Sequence, residues 1–316
     1  MTLDSAQDPA LTAAADLAAD PGNPAEGTVD GTAASTGDSD STDMSDTADS
    51  SDTATELAIQ TRNFSIRNRR RTVIGGINLD LPIGALLLVS GRFASGKTAL
   101  LLALAGRLRG FAGTATVLGH PLRGGGGQVR HLSALAETPI VNRLDDDLTV
   151  ERQLAAALVL RQPWWKPVVS HKAVVLCLIR VNEVLRLVDA RAGALLGSGT
   201  AGLPRLTGTD RIADLQPLDR AALGVVVALI GRPRLLIVDD VDTLRDTDDR
   251  TRVWAALLTL RMAGWHDLTI AASGQDPKEL LEILDGIGGE PAPARPVYLL
   301  DLDSDERTVT ALTGKA

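Results

Sequence analysis

Two kinds of segment alternate along most of this chain. Short, continuously apolar runs such as Leu86–Ser90 (LLLVS) and Leu235–Val238 (LLIV) predict strands buried on both faces. Longer stretches with an apolar residue every three or four positions predict helices. The predicted strands cover residues 57–59, 64–66, 73–81, 86–90, 114–118, 235–238, 268–272, 297–302 and 307–312, and the predicted helices cover 95–108, 150–161, 174–191, 219–230, 249–262 and 277–284. This alternation indicates an α/β fold with a core of βαβ units.

One part of the pattern is helical throughout. Residues 148–215 contain two predicted helices and no predicted strand, so a helical insertion into the βαβ core is the simplest account. Trp164 and Trp165 lie between Pro163 and Pro167, at the break between these helices. Packing is the more common use of such tryptophans, and contact with a partner protein is the alternative.

The first 55 residues differ in composition from the rest. They contain 12 acidic residues, no lysine or arginine, and no aromatic residue. Such a segment buries too little apolar surface to offset the entropy lost on ordering, so we expect a disordered acidic tail. Two interpretations of its acidic run at residues 38–53 stay open: an arm that is phosphorylated or binds a partner, and a solvating extension.

The tail changes the meaning of the net charge. The formal charge of the chain is −8, whereas residues 56–316 carry 32 basic and 28 acidic residues, a net charge of +4. This small excess does not indicate a nucleic-acid partner. The single cysteine, Cys177, excludes an intrachain disulfide, and the four histidines lack metal-ligand spacing. With no signal peptide and no apolar run near the roughly 18 to 20 residues that span a bilayer, we expect a cytoplasmic protein.

A phosphate-binding loop is the most specific motif. Residues 91–98 (GRFASGKT) fit GxxxxGK[ST] and lie between a buried strand and a helix. Glycines permit close approach of the backbone, whose N–H groups then face a β-phosphate. Lys97 can bridge the β- and γ-phosphates, and the Thr98 hydroxyl can bind Mg²⁺. The residues assigned to nucleotide binding are Gly91, Arg92, Phe93, Ala94, Ser95, Gly96, Lys97 and Thr98.

An acidic pair at the end of a second buried strand supplies the other half of such a site. Asp239 and Asp240 directly follow Leu235–Val238. Asp239 is expected to hold Mg²⁺ through water, together with Thr98, and Asp240 stands where a base would orient the attacking water. Because no guanine-reading NKxD segment follows, the sequence favours ATP over GTP.

The order of these motifs resembles the ATP-binding cassette (ABC) ATPases from about residue 57 to the C-terminus. Residues 116–122 (TVLGHPL) are similar to the strand and turn after the family's phosphate-loop helix, residues 148–154 (LTVERQL) to the start of its helical subdomain, and residues 232–236 (RPRLL) to the approach to its Walker B acid. The resemblance implies a P-loop NTPase core with an antiparallel β subdomain and a helical subdomain inserted at about 148–215. Residues 56–316 would then form one ATP-binding domain.

Three catalytic positions depart from the family pattern. Glu137 stands where the Q-loop has glutamine, and Gln275 where the H-loop has histidine. Asp240 matches the usual catalytic glutamate but is shorter by one methylene group. The resemblance assigns these three residues as candidate catalytic groups and implies a low or partner-dependent ATPase activity.

The signature sequence of the family, LSGGQ, is also replaced. Residues 215–219 read LQPLD. In the family this segment caps the γ-phosphate bound to the opposite subunit, whereas Pro217 has no N–H to donate. Asp219, if it faced the phosphate, would bring a like charge.

The resemblance implies partners and a location. Since the family's channel is a polytopic membrane protein, here a separate chain, the expected protein is a peripheral subunit on the inner face of the membrane, working as a homo- or heterodimer of cassettes. Three functions stay open: the ATPase subunit of a transport or export complex, a nucleotide-gated scaffold without useful turnover, and a soluble cassette acting on DNA or ribosomes. The third usually has long coiled coils or tandem cassettes, which this sequence lacks.

Two further features have more than one interpretation. Residues 67–71 (RNRRR) fit a solvated hairpin tip, an arginine that stacks on adenine, or a contact with acidic lipid or the chain's own tail. Residues 124–127 (GGGG) fit a flexible loop or a place where a ligand approaches the backbone closely.

Overall fold

The structure, a computed structural model, describes residues 56–68, 71–138, 141–163, 165, 168–260, 265–286, 296–304, 307 and 309–312. The predicted disorder of residues 1–55 therefore lies outside the described residues. So do Trp164 of the tryptophan pair, and Met262 and Gly264 at the predicted end of one helix.

Within the described residues, the strands form two sheets. The strands are β1 (Leu57–Asn68), β2 (Arg71–Pro82), β3 (Leu86–Ser90), β4 (Phe111–Val117), β5 (His120–Pro121), β6 (Ser133–Leu135), β7 (Leu235–Val238), β8 (Thr269–Ser273), β9 (Val297–Asp301) and β10 (Val309–Ala311). The first sheet is antiparallel, with the order β2-β1-β4-β5. The second has the order β10-β9-β3-β8-β7-β6 and is parallel except for β10. This confirms the predicted α/β class.

The helices connect or cover these strands. They are α1 (Lys97–Leu104), α2 (Leu122–Leu132), α3 (Val150–Val159), α4 (His171–Leu195), α5 (Pro217–Leu229), α6 (Thr247–Thr259) and α7 (Lys278–Gly286), with short 3₁₀ turns at Ile212–Asp214 and Val241–Thr243. In the described part of the chain, no helix combines the length and the apolar character needed to cross a bilayer.

Strand β3 shows why a continuous apolar run predicts a central strand. All five of its residues are buried. Leu87 and Val89 pack into a core shared with the antiparallel sheet and α1, whereas Leu86 and Leu88 pack into a core with α6 and α7 on the opposite face. Because successive side chains of a strand point to opposite faces, a strand covered on both sides needs apolar residues throughout.

A third apolar cluster joins the helices between β6 and β7. Its buried residues come from α3, the first half of α4 and α5, and include Leu154, Val181 and Leu223. The helical character predicted for residues 148–215 is therefore observed, with α3 and α4 inside that interval. Both helices begin at an N-cap side chain, since Thr149 and Ser170 accept a hydrogen bond from a first-turn N–H.

The prediction for the end of the first helix was wrong. The sequence suggested a helix to residue 108 with Gly110 after it, but α1 ends at Leu104 and Gly106 takes the left-handed conformation, with φ 68°. A Cβ at Gly106 would lie 2.6 Å from the Gly126 carbonyl oxygen. Contact with the following helix therefore ends α1 one turn early.

The prediction of a loop at residues 124–127 was also wrong. These glycines lie in α2, where Val129 is buried in the core and Leu132, three residues later, packs against the same core. The backbone breaks at Arg123 and Gly124, and regular helix follows. Glycine has a low helix propensity, and here burial of one apolar face outweighs it.

Two strand predictions also needed correction. Residues 57–59 and 64–66 belong to a single strand, β1, whose pairing with β2 is irregular near Asn63, a residue with φ 46°. This irregularity interrupts the alternation of apolar and polar residues that the sequence shows. Strand β6 was missed because three residues are too few to display a period.

Candidate nucleotide-binding site

The phosphate loop leaves β3 in a conformation that requires glycine at two positions. Gly91 has φ 148° and Gly96 has φ 102°. A Cβ at Gly91 would lie 2.8 Å from the Ser95 Oγ, and one at Gly96 would lie 2.7 Å from the Ile74 side chain. Ala94 also has a positive φ, 64°, which residues with a side chain seldom adopt. The loop is thus a fixed turn with its backbone accessible, as close approach to a phosphate requires.

Lys97, at the start of α1, closes the loop on itself. Its side chain is 8% exposed, and Nζ donates to the carbonyl oxygens of Gly91 (2.5 Å) and Arg92 (3.1 Å). An ammonium group has three N–H donors, so one remains for a ligand. The positive charge is held at the centre of the loop, where a phosphate would need it.

Ser95 carries the clearest sign of a missing partner. Its Oγ is buried, and no described atom lies within hydrogen-bonding distance and geometry. Buried hydroxyl groups normally have a partner because leaving one unpaired costs about 1–3 kcal/mol. An anionic oxygen in the loop would supply this partner, so the loop fits a phosphate group.

The acidic pair lies at the same edge of the parallel sheet. Strand β7, which ends before Asp239, is separated from β3 by β8 alone. At the end of β8, the fully buried Ser273 bridges the pair: its Oγ accepts a hydrogen bond from the Asp240 N–H (2.8 Å), and its O–H donates to the Asp239 Oδ1 (2.7 Å). The bridge orients the Asp239 carboxylate and holds Asp240 in a left-handed conformation, with φ 54°.

The pKa of Asp240 lies above its ordinary value. Burial is the largest cause, and the charges of Asp242 and Asp239 add to it, while the Lys97 ammonium acts in the opposite direction. The influence of Lys97 agrees with the position of both groups at one edge of the parallel sheet. A carboxylate with a raised pKa is a better proton acceptor, which suits the base role predicted for Asp240.

This chain is similar in sequence to two named proteins. No family profile matches the chain. An ABC transporter ATP-binding protein of Streptomyces coelicolor is 29% identical over 215 residues, covering 66% of this chain and 68% of the relative. The aliphatic sulfonates import ATP-binding protein SsuB 2 of Rhizobium johnstonii is 26% identical over 230 residues, covering 73% of this chain and 76% of the relative.

Solved structures show the same architecture. CbiO1 of Clostridium perfringens, described as part of the ABC transporter complex cbiONQ, superposes with a TM-score of 0.53 at 14% identity, over 77% of this chain and 84% of its own. An ATP-binding subunit of an ABC transporter superposes with a TM-score of 0.51 at 16% identity, over 81% of this chain and 90% of its own. The fold is that of the ABC ATPases. The resemblance read from the sequence is therefore confirmed.

In this ABC fold, Glu137 is tied to the helical region. Its carboxylate accepts hydrogen bonds from Arg220, with Nε 2.8 Å from Oε2 and Nη2 2.5 Å from Oε1, and from the N–H of Leu144 (3.3 Å). The same arginine donates to the Asp146 Oδ1 at 2.6 Å. Gly224 allows α5 to approach, since a Cβ there would lie 2.9 Å from the Glu137 Cβ. The catalytic role assigned to Glu137 stays a prediction, and in this conformation its carboxylate serves an ion pair.

Gln275 and the signature segment also lie in defined surroundings. Gln275 is exposed, and its backbone N–H donates to the Asp242 Oδ2 at 2.5 Å, so the backbone at this position is anchored while the side chain is accessible. Pro217 is the first residue of α5. The pKa of Asp219, two residues on, is raised by burial and by two nearby aspartates.

Two contacts near the site were missed from the sequence. One is the Arg220–Glu137 ion pair described above. The other is Asp303, whose Oδ2 accepts a hydrogen bond from the Arg92 N–H of the phosphate loop (2.8 Å), while its Oδ1 lies 3.3 Å from the Arg92 Nε. The Arg92 backbone N–H lowers the pKa of Asp303, followed by the guanidinium of the same residue. A separation of 211 residues leaves no local signal for this contact.

The residues predicted to hold Mg²⁺ have suitable chemistry. Thr98, in the first turn of α1, offers a hydroxyl oxygen, and Asp239 offers the carboxylate oxygen that Ser273 does not use. Mg²⁺ is typically bound through one or two protein oxygens together with phosphate oxygens and water. The described residues contain no cluster of three or more histidine, cysteine or acidic side chains that could hold a metal alone. The donor set therefore fits a metal that arrives with a nucleotide.

An apolar cavity of about 490 Å³ approaches the acidic pair from the helical side. Aliphatic side chains of α4, α5 and α6 form most of its wall, and Glu137, Asp239 and Asp240 lie at its polar edge. No residue of the phosphate loop lines it. The cavity thus separates the helical region from the parallel sheet beneath the site.

Proposed function

We propose that this chain is the ATP-binding subunit of a membrane transport complex whose membrane-spanning part is a separate chain. The two relatives are named as ATP-binding proteins of transport systems, one of them an importer of aliphatic sulfonates. The substrate of the present complex and the direction of its transport are left open.

The single observation that carries nucleotide binding is the phosphate loop. It combines a buried cation at Lys97, an unpaired buried hydroxyl at Ser95 and two glycines that permit close backbone approach. These features lie at the edge of the sheet where Asp239 and Asp240 emerge. A triphosphate seated there would satisfy Ser95 and place its terminal phosphate toward the acidic pair.

The chain's own residues divide the chemistry between them. Loop N–H groups and Lys97 bind the phosphates, and Thr98 and Asp239 would hold Mg²⁺, which when bound neutralises the charge that develops on the transferred phosphoryl group. Asp240 orients the attacking water and accepts its proton, aided by the raised pKa that burial gives it. Gln275 has an accessible side chain that can hydrogen-bond a phosphate oxygen but carries no charge.

Weak or conditional hydrolysis follows from the substitutions. Asp240 is one methylene shorter than glutamate, and a misplacement of about 1 Å in a catalytic group can cost on the order of 100-fold in rate. The Glu137 carboxylate is committed to Arg220. Pro217 removes an N–H from the segment that in the family caps a second subunit's phosphate. We therefore expect turnover to depend on a partner, either a second cassette, identical or different, or the membrane protein at the inner face of the membrane.

A nucleotide-gated scaffold is the second candidate. The Arg220 ion pairs favour it, because they join Glu137 after β6 to Asp146 before α3 and so link the nucleotide side to the helical region. ATP binding could then change the helical surface without hydrolysis. No observation favours an action on DNA or ribosomes.

Binding and turnover of ATP in the purified full chain test these proposals. Wild type should bind Mg²⁺-ATP, and Lys97→Ala should weaken binding at least 10-fold, with Arg186→Ala, an exposed α4 arginine paired with Glu183, as the matched control. Failure of wild type to bind would refute the nucleotide site. Turnover of several per second by the chain alone would refute the weak-activity proposal, whereas binding with no turnover, even with a membrane partner, would favour the scaffold.

A further inference from the structure

A second cavity, of about 700 Å³, lies at the opposite end of α1 from the phosphate loop. Its wall is formed by the turn after α1 at Gly106, the start of β4 at Phe111, and the first half of α2. Since α1 has eight residues, this end of the helix is about 12 Å from the end that carries Lys97. No residue of the phosphate loop or the acidic pair lines the cavity, so it is a separate site.

The cavity has an uncompensated positive charge. Arg109, Arg123 and Arg130 line it, and its lining contains no carboxylate. Within the described residues, none of the three forms an ion pair with an acidic side chain. Arg107 lies close by, and its pKa is lowered first by burial and then by the charge of Arg130. Three guanidinium groups around one cavity, with no carboxylate beside them in the described part of the chain, favour an anionic ligand.

The arginines are held in different ways. Arg130 is positioned by a hydrogen bond from its Nη1 to the Gly106 carbonyl oxygen (2.9 Å). The Arg123 guanidinium lies over the Phe111 ring, 5.9 Å from its centroid. These contacts use only part of the five donors of each side chain. The remaining N–H groups of a planar guanidinium match the oxygens of a phosphate.

The glycine run adds accessible backbone to this wall. After the break at Gly124, where φ is 92° and ψ is −33°, regular helix begins with three more glycines. Gly124, Gly126 and Gly127 line the cavity. The first-turn N–H groups of a helix have no intrahelical acceptor, and without a Cβ nothing shields them from a ligand. Of the two interpretations that the sequence left for this run, the arginines and the cavity support the close approach of a ligand.

We propose that this cavity binds a small multivalent phosphate anion, of the size of pyrophosphate or a nucleotide. Its volume lies in the range of small-molecule sites, roughly 300–1,000 Å³. The arginines and glycine N–H groups would take the phosphates, and Leu108, Phe111 and Leu122 supply an apolar wall for the rest of a larger ligand. The site is independent of the proposed ATPase function, because it shares no residue with the phosphate loop.

Isothermal titration of the full chain with sodium pyrophosphate tests this site. The background variant is Lys97→Ala, which weakens the competing phosphate loop. It should bind one pyrophosphate, more weakly at higher salt, and Arg109→Ala with Arg123→Ala should lower the affinity at least 10-fold. Gly127→Ala should also lower it, and its fold should survive because the nearest contact of the added Cβ is the Arg130 Nη2 at 3.7 Å. Arg186→Ala, on α4, is the matched arginine control.

Three results would overturn the proposal. The first is no detectable pyrophosphate binding by the Lys97→Ala chain at millimolar concentration. The second is an affinity that the double arginine variant leaves unchanged. The third comes from sedimentation with phosphatidylglycerol vesicles: if the double variant loses vesicle binding while pyrophosphate binding is unaltered, the arginines serve a lipid surface instead. Failure of ATP binding at the phosphate loop would leave these measurements interpretable, since the arginine and glycine variants lie outside that loop and share one background.

Discussion

Replacement of Ser273 by alanine tests how the acidic pair is held. The hydroxyl donates to the Asp239 Oδ1 and accepts from the Asp240 N–H, and the side chain is fully buried. In Ser273→Ala the carboxylate loses a charge-assisted hydrogen bond and the N–H loses its acceptor. A hydrogen bond to a charged group contributes about 1.5–3 kcal/mol, and an unsatisfied buried N–H costs about 1–3 kcal/mol. Both losses come from one atom, the Ser273 Oγ, and both aspartates are partly accessible. We therefore expect the free energy of unfolding to fall by about 2–3 kcal/mol in total.

The same change should alter nucleotide binding if Asp239 holds Mg²⁺. Loss of a partner that orients a metal ligand typically costs about 10- to 100-fold in metal affinity. The measurements are urea unfolding without nucleotide and the Mg²⁺ dependence of ATP binding. Ser133→Ala is the matched control, because Ser133 is also a buried strand serine, with its Oγ bonded to the Ala105 carbonyl oxygen and Arg107, away from the acidic pair.

The two serine variants should therefore differ. Both should lose stability, but only Ser273→Ala should require more Mg²⁺. If Ser273→Ala keeps the Mg²⁺ dependence of wild type within about twofold while losing stability, Ser273 has only a structural role. If its stability is also unchanged, the bridge does not exist in solution.

Three further predictions concern other parts of the molecule. Burial raises the pKa of the Cys177 thiol to about 11. Iodoacetamide at pH 8 should therefore label this thiol more than about 100-fold more slowly in the native chain than in urea, as measured by mass spectrometry. Equal labelling rates would contradict the burial of the thiol. Glu279→Ala should destabilise the fold by about 3 kcal/mol in urea unfolding, because it leaves Arg250 without its buried partner. In the native ion pair the Arg250 Nη2 lies 2.6 Å from the Glu279 Oε1. A loss of stability below about 1 kcal/mol would show that the pair is solvated. The pKa of Asp219 is higher in the folded chain than in the unfolded chain. The ionised carboxylate therefore destabilises the fold at a pH above the folded pKa, and this destabilisation disappears at a pH below the unfolded pKa of about 3.9. Asp219→Asn should accordingly be more stable than wild type at pH 7 and equal to it near pH 3, and a constant difference across this range would refute the assignment.

Local pattern was sufficient for the central strands and for the glycine-containing turn at residues 91–98. Leu86–Ser90 and Leu235–Val238 were predicted with the bounds that the structure shows, because a strand buried on both faces needs an uninterrupted apolar run. The loop was recognisable because its backbone shape and charge require glycines and a lysine at fixed spacing within eight residues. The helical region between β6 and β7 followed from periodicity alone.

Elements whose local signal conflicts with their packing were predicted less well. Four consecutive glycines suggest a loop, but Val129 and Leu132 pack into the core after the break at Gly124 and so keep residues 125–127 helical. The end of α1 was misplaced because contact between Gly106 and Gly126 fixes it, and sequence pattern does not report that contact. In both cases tertiary packing outweighed intrinsic preference.

What the sequence by itself determined is the class of fold, the phosphate loop and the acidic pair, since each depends on residues close together in the chain. The tertiary structure decided the partners of those residues. Arg220 pairs with Glu137 across 83 positions, and Asp303 reaches Arg92 across 211, because the order of strands in the parallel sheet brings distant loops to one edge. Tertiary packing also gathers Arg109, Arg123 and Arg130 around one cavity, because α2 packs against the end of α1 and so brings their charges together.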